Sequence, residues 1–166
     1  MGISSNQARL MTLTARQHDL ELRAQQISAE KMVKTMNSQQ MATDYSDALS
    51  GYSLLKSAEN APGDTFTYEN GSFKADENGV LDKDDLIDAI LDDINGKGYA
   101  AYNSEDFLRL AQADYDKESA KLSAEEKQLD LELTQINTEH SAVTTEYDSV
   151  KSLIKDNTDK SFNLFG

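Results

Sequence analysis

LDLELTQINTEHSAVTTEYDSVKSLI, residues 129–154, is the stretch whose reading decides the fold. Leu129, Ile136, Val143 and Val150 stand seven residues apart, and Leu133, His140, Tyr147 and Ile154 each follow four places later. This alternation of four and three sets one stripe along an α-helix and is the pattern of a coiled-coil seam. The first series, taken as heptad position d, extends back through Leu122, Tyr115 and Leu108. Its companion a positions there are polar: Gln112, Ser119 and Glu126. The seam is therefore apolar toward its end and half polar toward its start. Ser104 is the expected N-cap, with Glu105 and Asp106 in the first turn, where the helix dipole favours anions.

Near the amino terminus the same spacing recurs in Leu10, Leu13, Leu20, Ala24 and Ile27, with Gln17 inside the run. Lys31, Lys34 and Ser38 interrupt it, at the level where an antiparallel partner would present Ser119 and Glu126. Met41, Tyr45, Ala48, Tyr52 and Leu55 then resume it. Arg9, Arg16 and Arg23 each precede an a position, and Glu118, Glu125, Glu132, Glu139 and Glu146 hold that same g position on the last helix. In an antiparallel pair g faces g. The pairs Arg9 with Glu146, Arg16 with Glu139 and Arg23 with Glu132 all have residue numbers adding to 155, and extending that rule brings residue 57 near residue 98. These rungs are expected to set orientation and register. The seam is expected to supply most of the stability, at roughly 1.5–3 kcal/mol per fully buried side chain.

The expected fold is mainly α, a long antiparallel helical hairpin (coiled coil) of ~75 Å, at 1.5 Å per residue, with a small α+β insertion at its tip. Residues 1–57 form the N-terminal long helix, 58–104 the insertion, and 105–166 the C-terminal long helix and tail. Breaker distribution supports this division. The insertion holds Pro62, Gly63, Gly71, Gly79, Gly96 and Gly98, whereas the flanks contain only Gly51 away from the chain ends. Charge follows the same blocks: six basic and five acidic side chains in 1–57, three and eleven in 58–104, seven and fourteen in 105–166.

The chain has 166 residues, no cysteine, no tryptophan and a formal charge of −14. Absence of cysteine excludes disulfides, thiol catalysis and thiolate metal sites. The acidic balance argues against nucleic acid, which requires a basic face. No apolar run approaches 18 residues, so no membrane span is expected. The first fourteen residues lack a basic start followed by an apolar block, so no cleavable secretory signal is expected.

Within the insertion, residues 65–69 (TFTYE) and 72–75 (SFKA) flank Asn70-Gly71, the strongest short signal for a β-hairpin, and Tyr68 falls opposite Phe73. Asp82 is the expected cap of a short helix with apolar Leu86, Ile87, Ile90, Leu91 and Ile94, ended by Asn95-Gly96. Residues 74–85 also resemble a calcium loop. With Gly79 sixth, Asp76 and Asn78 fall third and fifth and Asp85 twelfth. Lys74 stands where the first carboxylate belongs, and Asp replaces the bidentate Glu at the end. The competing reading is an acidic turn leading into a capped helix.

His140 at an a position reads as a polar layer that fixes register, or as a pH-sensitive group. His18 lies off the seam. No phosphate loop or nucleophile elbow occurs, the carboxylates lie mostly on solvated faces, and neither a catalytic residue, a metal nor a cofactor is expected. Ala8, Ala15, Leu22, Ala29 and Met36 form a second series spaced by seven, opposite the first seam, flanked by Met11 and Met32. A two-helix hairpin buries one stripe per helix, so the outer stripe Ala15, Leu22, Ala29, Met32 and Met36 is expected to meet a third helix, another subunit or a target. Residues 161–165 (SFNLF) read as a short aromatic tail after a polar break.

Gln7-Ala8-Arg9-Leu10, Leu13-Thr14-Ala15-Arg16 and the run Asp19 to Gln25 resemble the opening of a group of short bacterial helical proteins. Thr138-Glu139, Thr145 to Lys151 and the final Ser161-Phe162 with Phe165 resemble their ending. The overall plan is similar to flagellin-like and type III secreted filament subunits, with pairing terminal helices and a variable insertion, although the flagellin end motifs are missing. That group is uncharacterised and implies no functional residue; the outer stripe points to a non-enzymatic structural subunit that self-associates through its terminal helices as a homo-oligomer or filament, and the similarity of plan implies a bacterial secreted or surface assembly. The expected partner is protein. The compartment stays open between cytoplasm and a signal-independent, type III-like export route. The alternatives are a cytosolic prefoldin-like chaperone or adaptor, whose methionines Met11, Met32 and Met36 would grip varied surfaces, and a calcium-responsive regulator.

Overall fold

The computed structural model describes residues 3–95 and 98–163. The order is α1 (Ile3–Glu59), β1 (Phe66–Glu69), β2 (Ser72–Ala75), α2 (Lys83–Ile94) and α3 (Ser104–Asn163). The protein is mainly helical, with a single two-stranded sheet among the described residues. It divides into two compact units, residues 1–35 with 124–166, and residues 36–123. Each unit draws on both α1 and α3. The reason is that Leu55 and Ala58 of α1 and Phe107 of α3 are buried with Phe66, Leu86, Ile90 and Leu91 in the core of the second unit.

In the first unit, α1 and α3 pack antiparallel. Leu13, Leu20, Ile27, Leu129, Ile136, Val143 and Val150 are its buried cluster, with Leu10, Ala24, Leu133, Tyr147 and Ile154 packed against them. Burial of this one stripe from each helix is what holds two otherwise polar helices together. Gln17 sits within the seam and donates from Nε2 to the Thr144 hydroxyl of the opposite helix at 3.0 Å. α3 runs on to Asn163, so Ser161 and Phe162 belong to the helix rather than to a separate tail; Leu164 and Phe165 lie outside the described residues.

In the second unit, Asn70 (φ 52°) and Gly71 (φ 72°) make the tight turn between β1 and β2, which pair antiparallel with Tyr68 opposite Phe73. Asp82 caps α2, its carboxylate accepting from the Asp85 N–H at 2.9 Å, and Leu86, Ile90 and Leu91 face the core. Asn95 ends α2, and Gly96 lies outside the described residues. The cap of α3 is Asn103 rather than Ser104: the Asn103 side-chain oxygen accepts from the Asp106 N–H at 2.8 Å. Ser104 is instead the first helical residue and is buried. The Glu59 carboxylate accepts from its N–H (2.7 Å) and its hydroxyl (2.6 Å), and Lys83 Nζ donates to the carbonyls of Ala61 (3.0 Å) and Glu59 (3.3 Å). A carboxylate is thereby held at the N-terminus of one helix and an ammonium at the C-terminus of another, each where the backbone dipoles favour it.

Candidate functional site

The first unit presents its most distinctive chemistry on the sides turned away from the seam. On α1 those positions are Ala8, Met11, Thr12, Ala15, His18, Asp19, Leu22, Gln25, Gln26, Ala29, Met32 and Val33, all exposed. Met11 is 75% exposed, Met32 68%, Leu22 54% and Val33 54%. Asp19 carries the single formal charge among these twelve. A solvated helix face usually carries its charges there. In this unit they are displaced to the flanks instead. Met36, the first residue of the second unit, is likewise exposed.

On α3 the corresponding outward positions from 128 to 145 are Gln128, Leu131, Thr134, Gln135, Thr138, Ser141, Ala142 and Thr145, all exposed and none charged. Their hydroxyls turn back onto their own helix. Thr134 donates to the Asp130 carbonyl at 2.8 Å, Thr138 to Thr134 at 2.9 Å, Ser141 to Asn137 at 2.9 Å and Thr145 to Ser141 at 2.9 Å. Ser149, one turn further, donates to Thr145 at 2.8 Å. A hydroxyl satisfied in this way turns its methyl or methylene outward and loses less when water is removed.

The flanks hold the charge pairs. Arg9 binds Glu146 and Arg16 binds Glu139, each through Nε (3.0 and 3.2 Å) and a second guanidinium nitrogen on the same oxygen. Donating to the Glu139 carboxylate holds the Arg16 guanidinium above its ordinary pKa. The third rung is absent: among the described residues no ion pair joins Arg23 to Glu132, and Glu132 accepts from Gln128 Nε2 at 3.1 Å instead. The seam lysines find partners that spacing did not indicate. Lys31 pairs with Asp130 and Lys34 with Glu125, each at 2.5 Å. Long flexible stems let both ammonium groups leave the seam while their methylenes stay against it. His140 is half-buried, with Nε2 3.5 Å from Glu21 Oε1 and without a well-directed hydrogen bond.

Asp76 accepts from the Asn78 N–H (3.0 Å) and from Thr67 (3.4 Å), while Asp85 sits in the first turn of α2. Among the described residues no cluster of three His, Asp or Glu side chains could hold a metal ion. Gly79 has a local purpose. A Cβ there would lie 2.6 Å from the Phe66 carbonyl, so a side chain would prevent the pairing in which Phe66 and Leu81 exchange backbone hydrogen bonds (2.8 and 3.2 Å). Tyr45 and Tyr115 stack at 4.6 Å beside a cavity of about 10 Å3, room for a single water.

No family model, no curated protein and no solved structure matches this chain. Among the described residues no helix is long and apolar enough to cross a membrane. Reading by periodicity missed the Glu59–Ser104 contact, because neither residue belongs to a repeat and 45 positions separate them. The signal that could have found the α3 outer face is the lack of charge at three heptad positions over 128–145.

Proposed function

We propose that this protein is a non-enzymatic structural subunit whose terminal helices form an antiparallel coiled coil and carry it into a homo-oligomer or filament. The observation that supports this is the exposure of Met11, Leu22, Met32 and Val33 on the side of α1 opposite the buried seam, in a stretch with Asp19 as its one outward charge. An α-helix apolar on two sides gains from a second contact, because one partner helix covers one stripe. The likeness to flagellin-like subunits in overall plan favours a bacterial secreted or surface assembly. The acidic insertion, residues 58–104, would remain exposed on such an assembly. Sedimentation velocity at tens of micromolar tests the reading. Reversible association is expected, and Leu22→Glu with Met32→Glu should abolish it. A strict monomer, unchanged by those substitutions, overturns it.

A second reading, a prefoldin-like adaptor for partly unfolded proteins, is favoured by one observation: Met11, Met32 and Met36 are all exposed, and methionine adapts to varied surfaces. Suppression of a model substrate's aggregation by a discrete oligomer supports it. Long filaments of the purified protein in electron micrographs support the first.

A further inference from the structure

We infer that Asn70 is a modification site, at which the side-chain amide is lost by spontaneous deamidation and the resulting isoaspartate loosens the β1–β2 hairpin. This does not depend on the self-association proposed above. The chain contains three Asn-Gly steps, Asn70-Gly71, Asn78-Gly79 and Asn95-Gly96, all within residues 58–104. Asparagine before glycine is the most labile setting for this amide, because glycine has no Cβ to shield the nitrogen that attacks it. By residue type the three steps are equal. Their surroundings separate them.

At Asn78 the attacking nitrogen would be that of Gly79, and it is tied down. The Gly79 N–H donates to the Asp76 carbonyl at 2.9 Å, and the Asn78 N–H donates to Asp76 Oδ1 at 3.0 Å. Gly79 also lies against the Phe66 backbone, where even a Cβ would not fit. At Asn95 it is the departing group that is held: Nδ2 donates to the Tyr99 carbonyl at 2.8 Å, and Oδ1 is buried. Asn70 and Gly71 are both exposed. Among the described residues neither the Asn70 amide nor the Gly71 N–H has a hydrogen-bond partner, and nothing lies within 4 Å of where a Gly71 Cβ would stand. The nearby Ser72 hydroxyl is turned to the Glu69 carbonyl at 3.0 Å. Only the turn itself restrains the Asn70 side chain, and it closes two strands of four residues each, which open locally at low cost.

In the reaction the Gly71 nitrogen gives its proton to hydroxide and attacks Asn70 Cγ. The new C–N bond closes a succinimide ring, the Cγ–Nδ2 bond breaks, and Nδ2 takes a proton from water and leaves as ammonia. Water then opens the ring. Attack at Cγ restores the main chain and leaves aspartate. Attack at the main-chain carbonyl of residue 70 breaks its bond to the Gly71 nitrogen and leaves isoaspartate, with the chain now running through Cβ and Cγ. That route adds one backbone carbon to a turn whose two residues both hold positive φ, 52° and 72°. Turn length fixes register, so the pairing of Tyr68 with Phe73 is lost, and both of those rings pack against the core of the second unit. Either product adds a negative charge beside Glu69.

The test uses the full chain, incubated in warm, mildly alkaline buffer, with a parallel sample in urea. Both are digested, and each Asn-Gly peptide is measured for the gain of one mass unit and for isoaspartate. In the folded chain Asn70 is expected to convert at least roughly tenfold faster than Asn78 or Asn95, because those two must first break their hydrogen bonds. In urea the three rates should converge. Equal rates in the folded chain, or an Asn70 that is stable when folded and labile in urea, would overturn the inference. The isoaspartate form, isolated by anion exchange, is expected to lose the cross-strand contacts between Tyr68 and Phe73 in nuclear magnetic resonance spectra. Freshly prepared Asn70→Asp, which adds the charge without the carbon, should keep them. Contacts that persist in the isoaspartate form, or that vanish equally in Asn70→Asp, would overturn the link from modification to hairpin.

Discussion

Glu59, in the last turn of α1, accepts both the backbone N–H and the hydroxyl of Ser104 at the start of α3, at 2.7 and 2.6 Å. Ser104 is 1% exposed, so neither donor can turn to water if the carboxylate is removed. Leaving a buried donor unsatisfied costs about 1–3 kcal/mol. Glu59→Ala should therefore destabilise the second unit more than Ser104→Ala, which removes one donor together with its need. Six of the seven tyrosines lie in residues 36–123 and there is no tryptophan, so urea unfolding followed by tyrosine fluorescence reports mainly on this unit.

Leu20 and Leu22 differ by two positions and by their whole environment, 2% against 54% exposed. Leu20→Ala should cost about 2–5 kcal/mol, as deletion of a buried leucine side chain does. Leu22→Ala should leave the stability of the monomer within roughly 0.5 kcal/mol, as is usual for surface sites. Thermal unfolding by circular dichroism in dilute solution separates the two.

Gly79→Ala should destabilise the hairpin without help from any metal. The new Cβ would approach backbone atoms of Phe66 at 2.6–2.7 Å, and backbone, unlike the end of a side chain, cannot swing away. Overpacking of this kind costs about 1–3 kcal/mol. The amide resonances of Phe66 and Leu81 in nuclear magnetic resonance spectra should lose their protection from exchange. Retained protection in the variant would count against this account of Gly79.

Burial, together with a hydrogen bond to Asp93 Oδ2 at 2.6 Å, pushes the Tyr68 phenol up to about 12 from its ordinary 10. The unfolded chain loses that proton first. Stability from this group is thus complete below pH 10 and disappears as pH climbs from 10 to about 12. Absorbance at 295 nm should show one late-titrating tyrosine that vanishes in Tyr68→Phe. Asp93→Asn should retain part of the shift, since burial is its larger cause.

The coarse fold is legible in the sequence where one physical rule acts alone. Apolar residues at every seventh place can share one helical stripe, and Asn70-Gly71 supplies the positive φ angles that a two-residue turn demands. Contacts set by competition between neighbours are not legible. Nothing in the spacing says that Gln128 satisfies Glu132 and leaves Arg23 unpaired. Ser104 looks like a cap because its residue type suits one. The choice of Asn103 depends on where Glu59 arrives, and that is set by packing around Phe66 and Phe107. The heptads run on while the core that they serve changes.

Lys31 and Asp130 have one more consequence. Glutamate stands at every seventh place from 118 to 146, so sliding α3 by a full heptad would still offer Arg9 or Arg16 a carboxylate over much of the range. The arginine rungs thus specify direction but are nearly blind to slippage. The same slide would put Asn137 or Ser123 where Asp130 meets Lys31, and Lys151 or Asn137 where Thr144 meets Gln17. It is the letters that do not recur, a lysine and a glutamine set into a repeating text, that tell this pair of helices which alignment to keep.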